Sequence, residues 1–165
     1  LQGRWFGTKG YDYEAVHLSN NVSSEGGNHS MQLDYKGYIS PSYAAYPIFG
    51  DDVTAKAIQL DICGDNKATM YINFYIKAGN NTVQHRYTIS LVEAGWHRYV
   101  IGLGLFSIVE GSGSALGLDT IRNLQKVTFG LVDNDGGSVS SIFVDNIKLD
   151  AGVKSFGINT VTALS

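Results

Sequence analysis

Residues 70–77 read Met-Tyr-Ile-Asn-Phe-Tyr-Ile-Lys, and this stretch decides the fold. Its apolar residues recur at every second position: Met70, Ile72, Phe74 and Ile76. Side chains of an extended chain alternate between two faces, so the apolar set shares one face and Tyr71, Asn73 and Tyr75 share the other. The pattern predicts a β-strand with one face in the core and the other face in contact with solvent.

Further short stretches with the same period follow one another, separated by clusters of Gly, Asn, Asp and Ser. They cover residues 31–35, 58–63, 87–91, 127–131 and 141–149. Strands of this kind, with turn signals at intervals of about ten residues, are typical of sandwiches and barrels. We therefore predict an all-β fold, a β-sandwich (jelly roll, galactose-binding-like) of two antiparallel sheets. We assign residues 1–150 to this module and 151–165 to a last strand or a linker to a neighbouring domain.

Three local patterns predict further detail. The strand over 96–103 has one step of three between Trp96 and Tyr99, which suggests a bulge, and its spacing makes Trp96 a core residue. The stretches 126–131 and 141–149 are expected to pair as a hairpin across the turn 133–138. Residues 118–124 are expected to contain a short helical turn.

The composition limits the classes of function. The chain has 165 residues, a length typical of one domain, and only 16% of them are charged. Its formal net charge of −3 provides no basic field, so we expect neither nucleic acid nor an anionic membrane as a partner. The single cysteine, Cys63, cannot form an internal disulfide. A neutral partner fits this uncharged, hydrogen-bonding surface better, and we expect a monomer.

The C-terminal part of the sequence carries a family resemblance. Residues 141–149 read Ser-Ile-Phe-Val-Asp-Asn-Ile-Lys-Leu, and residues 126–131 before them read Lys-Val-Thr-Phe-Gly-Leu. The pair resembles the closing strands of the β-jelly-roll carbohydrate-binding modules of bacterial polysaccharide-degrading enzymes, of family 11 and its relatives above all. Residues 29–35, 57–62 and 95–103 resemble the same group in the same order, so the resemblance covers most of the chain.

The resemblance implies a function without catalysis. It implies a secreted, extracellular module that binds a plant or microbial polysaccharide and targets an attached glycoside hydrolase to its substrate. The mostly neutral aromatic surface favours β-glucan, with mannan or xylan next. The resemblance also implies a structural Ca²⁺, held by Asp145 with groups near Glu25 and Asn28, since hard oxygen ligands suit this ion. The acidic first strand usual in these modules has no match in residues 1–5, so the sequence leaves the ion open.

A sugar ring offers an apolar face and a rim of hydroxyls, which aromatic rings and amide or guanidinium groups recognise. The outward row Tyr71, Asn73 and Tyr75 supplies both kinds of group, about 7 Å apart by strand geometry. Arg86 joins the row if the next strand pairs as a hairpin through residues 79–81, and it can then bond two hydroxyls at once. This row is the first candidate site.

Other aromatic residues are candidates for the edge of the same site. The stretch 37–47 has no clean strand pattern, and as a loop it would carry Tyr38, Tyr43 and Tyr46; the resemblance places a ligand-facing tyrosine near Tyr43. Trp5 is a further candidate platform in the Gly-rich start of the chain. A packing role for these residues stays open.

Two other functions stay open beside the binding module. One is a structural or cell-surface interaction domain. The other is a polysaccharide lyase or hydrolase of jelly-roll fold, but a hydrolase needs two carboxylates across a cleft and the acidic residues here mostly lie in turns. A lyase would combine His85 with Tyr71 and Arg86, whereas strand alternation directs His85 away from Arg86. We therefore predict that the chain is not an enzyme.

Overall fold

The computed structural model describes residues 4–7, 16–24, 27–36, 38–39, 42–44, 54–133, 139–149, 154–156 and 160–163. For residues 4–7, 38–39, 42–44, 154–156 and 160–163 it describes the backbone and its pairing. The described strands, in chain order, are β1 (Arg4–Gly7), β2 (Val16–Ser19), β3 (Ser30–Tyr35), β4 (Tyr38–Ile39), β5 (Ser42–Ala44), β6 (Ala57–Gly64), β7 (Ala68–Ala78), β8 (Asn81–Ser90), β9 (Gly95–Gly102), β10 (Ser107–Glu110), β11 (Leu124–Asp133), β12 (Ser140–Leu149), β13 (Lys154–Phe156) and β14 (Thr160–Ala163).

These strands form two sheets, which we call the front sheet and the back sheet. The front sheet has the order β10-β8-β7-β11-β5-β1-β14, and β4 also pairs with β11. The back sheet has the order β2-β3-β12-β6-β9, and β13 also pairs with β12. The all-β sandwich prediction is confirmed. Among the described strand pairs one is parallel: β1 pairs with β14 from Arg4 opposite Thr160 to Gly7 opposite Ala163.

The core lies between the two sheets and follows the period-two pattern. Strand β7 directs its apolar residues inward as predicted, and Ile72 and Phe74 have no exposed surface. Val127 and Phe129 of β11 are equally buried, and so are the inward residues of β3, β6 and β12. Phe74 stacks on Phe106 with ring centroids 5.0 Å apart. Burial of this continuous apolar layer is the main term that stabilises the sandwich.

Two local elements agree with the sequence. Strands β7 and β8 form a tight hairpin in which Ala78 pairs with Asn81, and Gly79 adopts a φ of 63° in the turn. Glycine occupies this left-handed conformation without steric cost. The short helix α1 (Leu118–Ile121) lies within the predicted helical turn. No helix in the described part of the chain is long and apolar enough to span a membrane.

The predicted hairpin of β11 with β12 is wrong. Strand β11 lies in the front sheet between β7 and β5, whereas β12 lies in the back sheet between β3 and β6. Both strands have an apolar inner face, which is equally compatible with pairing side by side and with packing across the core. The chain therefore crosses from one sheet to the other between them.

Two smaller expectations also need correction. Strand β9 pairs with β6 without any shift from Gly102 opposite Ala57 to Gly95 opposite Gly64, so the bulge predicted in β9 is absent from these described residues. The stretch 37–47, expected as a loop, contains the short strands β4 and β5, both paired with β11. In the last part of the chain, β13 pairs with β12 and β14 pairs with β1.

Candidate functional site

The predicted row on β7 lies on the outer face of the front sheet. Tyr71 and Tyr75 are half-buried there, and the inward residues that alternate with them are in the core. On β8, Thr88, Arg86 and Gln84 stand opposite Tyr71, Asn73 and Tyr75; on β11 the corresponding residues are Gly130, Thr128 and Lys126. The three strands thus present a three-by-three patch of outward positions, which we call the front patch.

Asn73 is the centre of the front patch, and it is buried rather than open. Its side chain is 1% exposed because neighbours on both sides close over it. The Asn73 amide donates to Oγ1 of Thr128 at 3.0 Å, and its Oδ1 accepts from Nε of Arg86 at 2.7 Å. Its polar atoms therefore have partners within the protein, as buried polar groups require. Asn73 fixes Arg86 and would not itself contact a ligand.

A cation lies over each of the two tyrosine rings. The guanidinium carbon of Arg86 is 4.5 Å from the centroid of the Tyr71 ring, and Nζ of Lys126 is 4.2 Å from that of Tyr75. Contacts of this geometry are attractive because the face of an aromatic ring carries a negative electrostatic potential. Each contact places a cation beside an aromatic ring, so the patch brings aromatic surface and hydrogen-bond donors together. Such an arrangement can pack against a pyranose ring and donate to its hydroxyls.

The sequence missed Lys126 as a member of the site. Its position opposite Tyr75 depends on the pairing of β11 with β7, and these strands are separated by nearly 50 residues. A pattern within one strand does not indicate which residues of a distant strand lie opposite it. Arg86 was found because a two-residue turn sets the register of the β7–β8 hairpin.

The expected edge residues belong partly to the same sheet. Tyr38 pairs with Val132 in β11, Tyr43 pairs with Val127, and Trp5 pairs with Tyr43. The backbones of β4, β5 and β1 therefore extend the front sheet beyond β11. The side chains of these three residues and all of Tyr46 lie outside the described residues, so their contact with a ligand stays a prediction.

His85 faces the core, as strand alternation predicts. It is 1% exposed, and burial lowers the pKa of its imidazole below the usual 6.5. Its Nδ1 has no hydrogen-bond partner among the described residues. His85 therefore lies on the opposite face of β8 from Arg86 and does not join the front patch, which removes the histidine of the lyase alternative from the site.

The residues expected around an ion lie on the other sheet. Asp145 of β12 is 3% exposed on the outer face of the back sheet, next to Asp61 of β6. Asn28 is exposed, and Glu25 lies outside the described residues. Burial raises the pKa of the Asp61 carboxyl, but hydrogen bonds from Arg98, Ser23 and Asn146 outweigh this effect and hold the pKa below its usual value.

The prediction that Trp96 is a core residue is wrong. Trp96 pairs with Cys63, an outward position of β6, and is only half-buried. Its Nε1 donates to Oδ1 of Asn21 at 3.3 Å on the outer face of the back sheet. Its ring also lines a cavity of about 260 Å³ together with Ser23, Ser24, Asp61, His97 and Arg98. Trp96 therefore lies on the back sheet and is not part of the front patch.

Comparison with known proteins shows what the chain is similar to. No family model matches the chain, and no curated protein matches it. Among solved structures, a family 11 carbohydrate-binding module from Clostridium thermocellum, in complex with a β-1,3-1,4-mixed-linked tetrasaccharide, superposes with a TM-score of 0.61. Its sequence is 20% identical, and the match covers 93% of this chain and 90% of that one.

Two further modules have the same architecture. A family 30 carbohydrate-binding module has a TM-score of 0.56 and 14% identity, with 88% of this chain and 79% of that chain covered. The module TmCBM61, in complex with β-1,4-galactotriose, has a TM-score of 0.51 and 13% identity, with coverage of 89% and 86%. The chain therefore has the β-sandwich fold of carbohydrate-binding modules, and the fold expected from the resemblance to family 11 is confirmed.

Proposed function

We propose that the chain is a non-catalytic module that binds a plant or microbial polysaccharide on the front patch. The observation that carries this proposal is the pair of half-buried rings, Tyr71 and Tyr75, each with a cation over it, on the outer face of the front sheet. Fold likeness to modules solved with a mixed-linked glucan tetrasaccharide and with galactotriose supports it. Among polymers we propose β-glucan first and mannan or xylan next.

The wider biological setting is part of the same proposal. The module is secreted, acts as a monomer and brings an attached glycoside hydrolase to its substrate. Its role is adhesion, because the front patch combines contact surface with donors and its central amide is already engaged within the protein. Nothing in this arrangement requires a cofactor for binding.

Affinity electrophoresis against soluble β-glucan, xylan, mannan and pectin tests the proposal. The migration of the wild-type chain should be retarded by at least one polymer. Tyr75→Ala should weaken that retardation by about tenfold in dissociation constant, since one lost aromatic contact is worth about 1.4 kcal/mol. Tyr71→Ala should also weaken the retardation. Thermal unfolding should show that both variants remain folded.

Trp96→Ala is the matched control, because it removes an aromatic ring from the other sheet. Unchanged retardation of this variant would support the front patch, whereas loss of binding here and not in Tyr75→Ala would place the site on the back sheet. Absence of retardation across the panel would favour a structural or cell-surface interaction domain. New reducing ends or ultraviolet absorbance from unsaturated uronates would show catalysis and overturn the proposal.

A further inference from the structure

Three charged side chains form a row across the outer face of the back sheet. Asp145 of β12 is the register partner of Asp61 in β6, and Asp61 is the register partner of Arg98 in β9. The two carboxylates are 3% and 4% exposed. Two adjacent buried carboxylates are strongly unfavourable unless hydrogen bonds and a positive charge compensate them.

Arg98 compensates Asp61 directly. Its Nε donates to Oδ1 of Asp61 at 2.8 Å, and its Nη2 donates to Oδ2 at 3.1 Å, the two-point geometry that suits a guanidinium and a carboxylate. Oδ2 of Asp61 also accepts from the Ser23 hydroxyl at 2.8 Å and from the side-chain Nδ2 of Asn146 at 3.3 Å. Both oxygens of Asp61 are thus faced by protons.

Asp145 is compensated by backbone amides. Its Oδ2 accepts from the backbone N–H of Ser23 at 3.0 Å, and its Oδ1 accepts from the backbone N–H of Asn146 at 2.7 Å. The second bond depends on a local irregularity, because the pairing of β12 with β6 shifts just after Asp145 and Asn146 adopts a φ of 50° there. Asparagine tolerates this conformation better than most residues. Ser23 and Asn146 therefore join the two carboxylates into one network.

This network does not fit Ca²⁺. Calcium takes six to eight oxygen ligands, whereas the two carboxylates supply four oxygens, each of which already accepts a hydrogen bond from an N–H or O–H donor. The described residues contain no group of three or more His, Cys, Asp or Glu side chains that could hold a metal ion. Asn28 is exposed and takes no part in the network.

We propose that Arg98 is the built-in cation of this sandwich and replaces a structural calcium ion at the row Asp145, Asp61 and Arg98. The fold then keeps its stability without divalent metal. The neighbouring cavity of about 260 Å³, which Arg98 itself lines, would give an ion room to bind once the guanidinium is removed.

Thermal unfolding of the wild-type chain, with added Ca²⁺ and with a chelator, is the first experiment. We expect the same Tm in both conditions. A structural calcium at a hundred times its Kd would raise the Tm of a chain of this length by about 5 to 10 °C, and a rise of that size would overturn the proposal.

The second experiment removes the guanidinium. Arg98→Gln should lower the Tm by about 5 to 10 °C, and added Ca²⁺ should recover part of that loss. The Tm of Arg98→Lys should lie between those of the wild type and Arg98→Gln, because lysine keeps the positive charge but loses the two-point contact with Asp61. Arg122→Gln, at an exposed arginine outside the network, is the control and should have the wild-type Tm.

A double variant separates charge compensation from general damage. Adding Asp61→Asn to Arg98→Gln removes the carboxylate that lost its partner, so the double variant should be more stable than Arg98→Gln alone. If Arg98→Gln folds only in the presence of Ca²⁺, the proposal is supported in its strongest form. A wild-type Tm for Arg98→Gln, or no response of that variant to Ca²⁺, would overturn it.

Discussion

Replacing His85 by leucine should make the fold more stable, and increasingly so as the pH falls below 6.5. His85 pairs with Phe74 in β7 and with Ile108 in β10, and it is 1% exposed in an apolar environment. Its Nδ1 lacks a hydrogen-bond partner among the described residues. A buried polar atom of this kind destabilises the folded state by about 1 to 3 kcal/mol, and leucine removes it at similar volume.

The dependence on pH follows from the direction of the pKa shift. Burial lowers the pKa of His85 in the folded state, so below pH 6.5 the unfolded chain binds a proton that the folded chain does not. Above the pKa that His85 has in the unfolded chain, this group therefore takes nothing from the free energy of unfolding. The free energy of unfolding falls as the pH decreases through the window between the pKa of His85 in the unfolded chain and its lower pKa in the folded chain. Between about pH 7 and pH 5.5, this single group can reduce the free energy of unfolding by at most about 1.3 kcal/mol.

Urea unfolding of the wild type and His85→Leu at about pH 7 and about pH 5.5 measures this effect as the change in the stability difference. The advantage of the variant should widen by up to about 1.3 kcal/mol at the lower pH. His29→Gln, at an exposed histidine, is the control for the loss of an imidazole and is measured at the same two pH values. Parallel pH profiles for the wild type and His85→Leu would refute the reasoning.

Two predictions concern packing, and urea unfolding measures both. Phe74→Ala should lower the free energy of unfolding by about 3 to 5 kcal/mol, because it removes a fully buried ring stacked on Phe106; a loss below about 1 kcal/mol would mean that the core refills the cavity. Gly64→Ala should cost about 1 to 3 kcal/mol, since a Cβ there would lie 2.6 Å from the backbone oxygen of Glu93. Gly27→Ala is its control and should change stability by less than about 0.5 kcal/mol, because no atom of the described residues lies within 4 Å of the new Cβ; equal losses in the two variants would contradict the steric argument.

The sequence predicted those parts of the fold that a local pattern determines. The alternation in residues 70–77 separates Phe74 from Tyr75 correctly, because the side-chain period of a strand does not depend on its neighbours. The β7–β8 hairpin is likewise local, since the Gly79 turn fixes its register. The choice of sheet for β11 and β12 is not local, and there the prediction failed because both strands have the same apolar face.

The candidate site was predictable to the same extent. Tyr71 and Tyr75 follow from the alternation, whereas the burial of Asn73 and the position of Lys126 follow only from pairing with β11. Arg98 was missed for a similar reason. Its contact with Asp61 joins residues 37 positions apart on strands whose register the sequence does not reveal.

The parallel pairing of β1 with β14 has a mechanical consequence. The pairs run from Arg4 opposite Thr160 to Gly7 opposite Ala163, so a pull on the start of β1 and the end of β14 acts in opposite directions along the strand axis. The interstrand hydrogen bonds then carry the load together, in shear, and do not open one after another. A force applied between these two strand ends would therefore meet more resistance than a force that peels the strands apart.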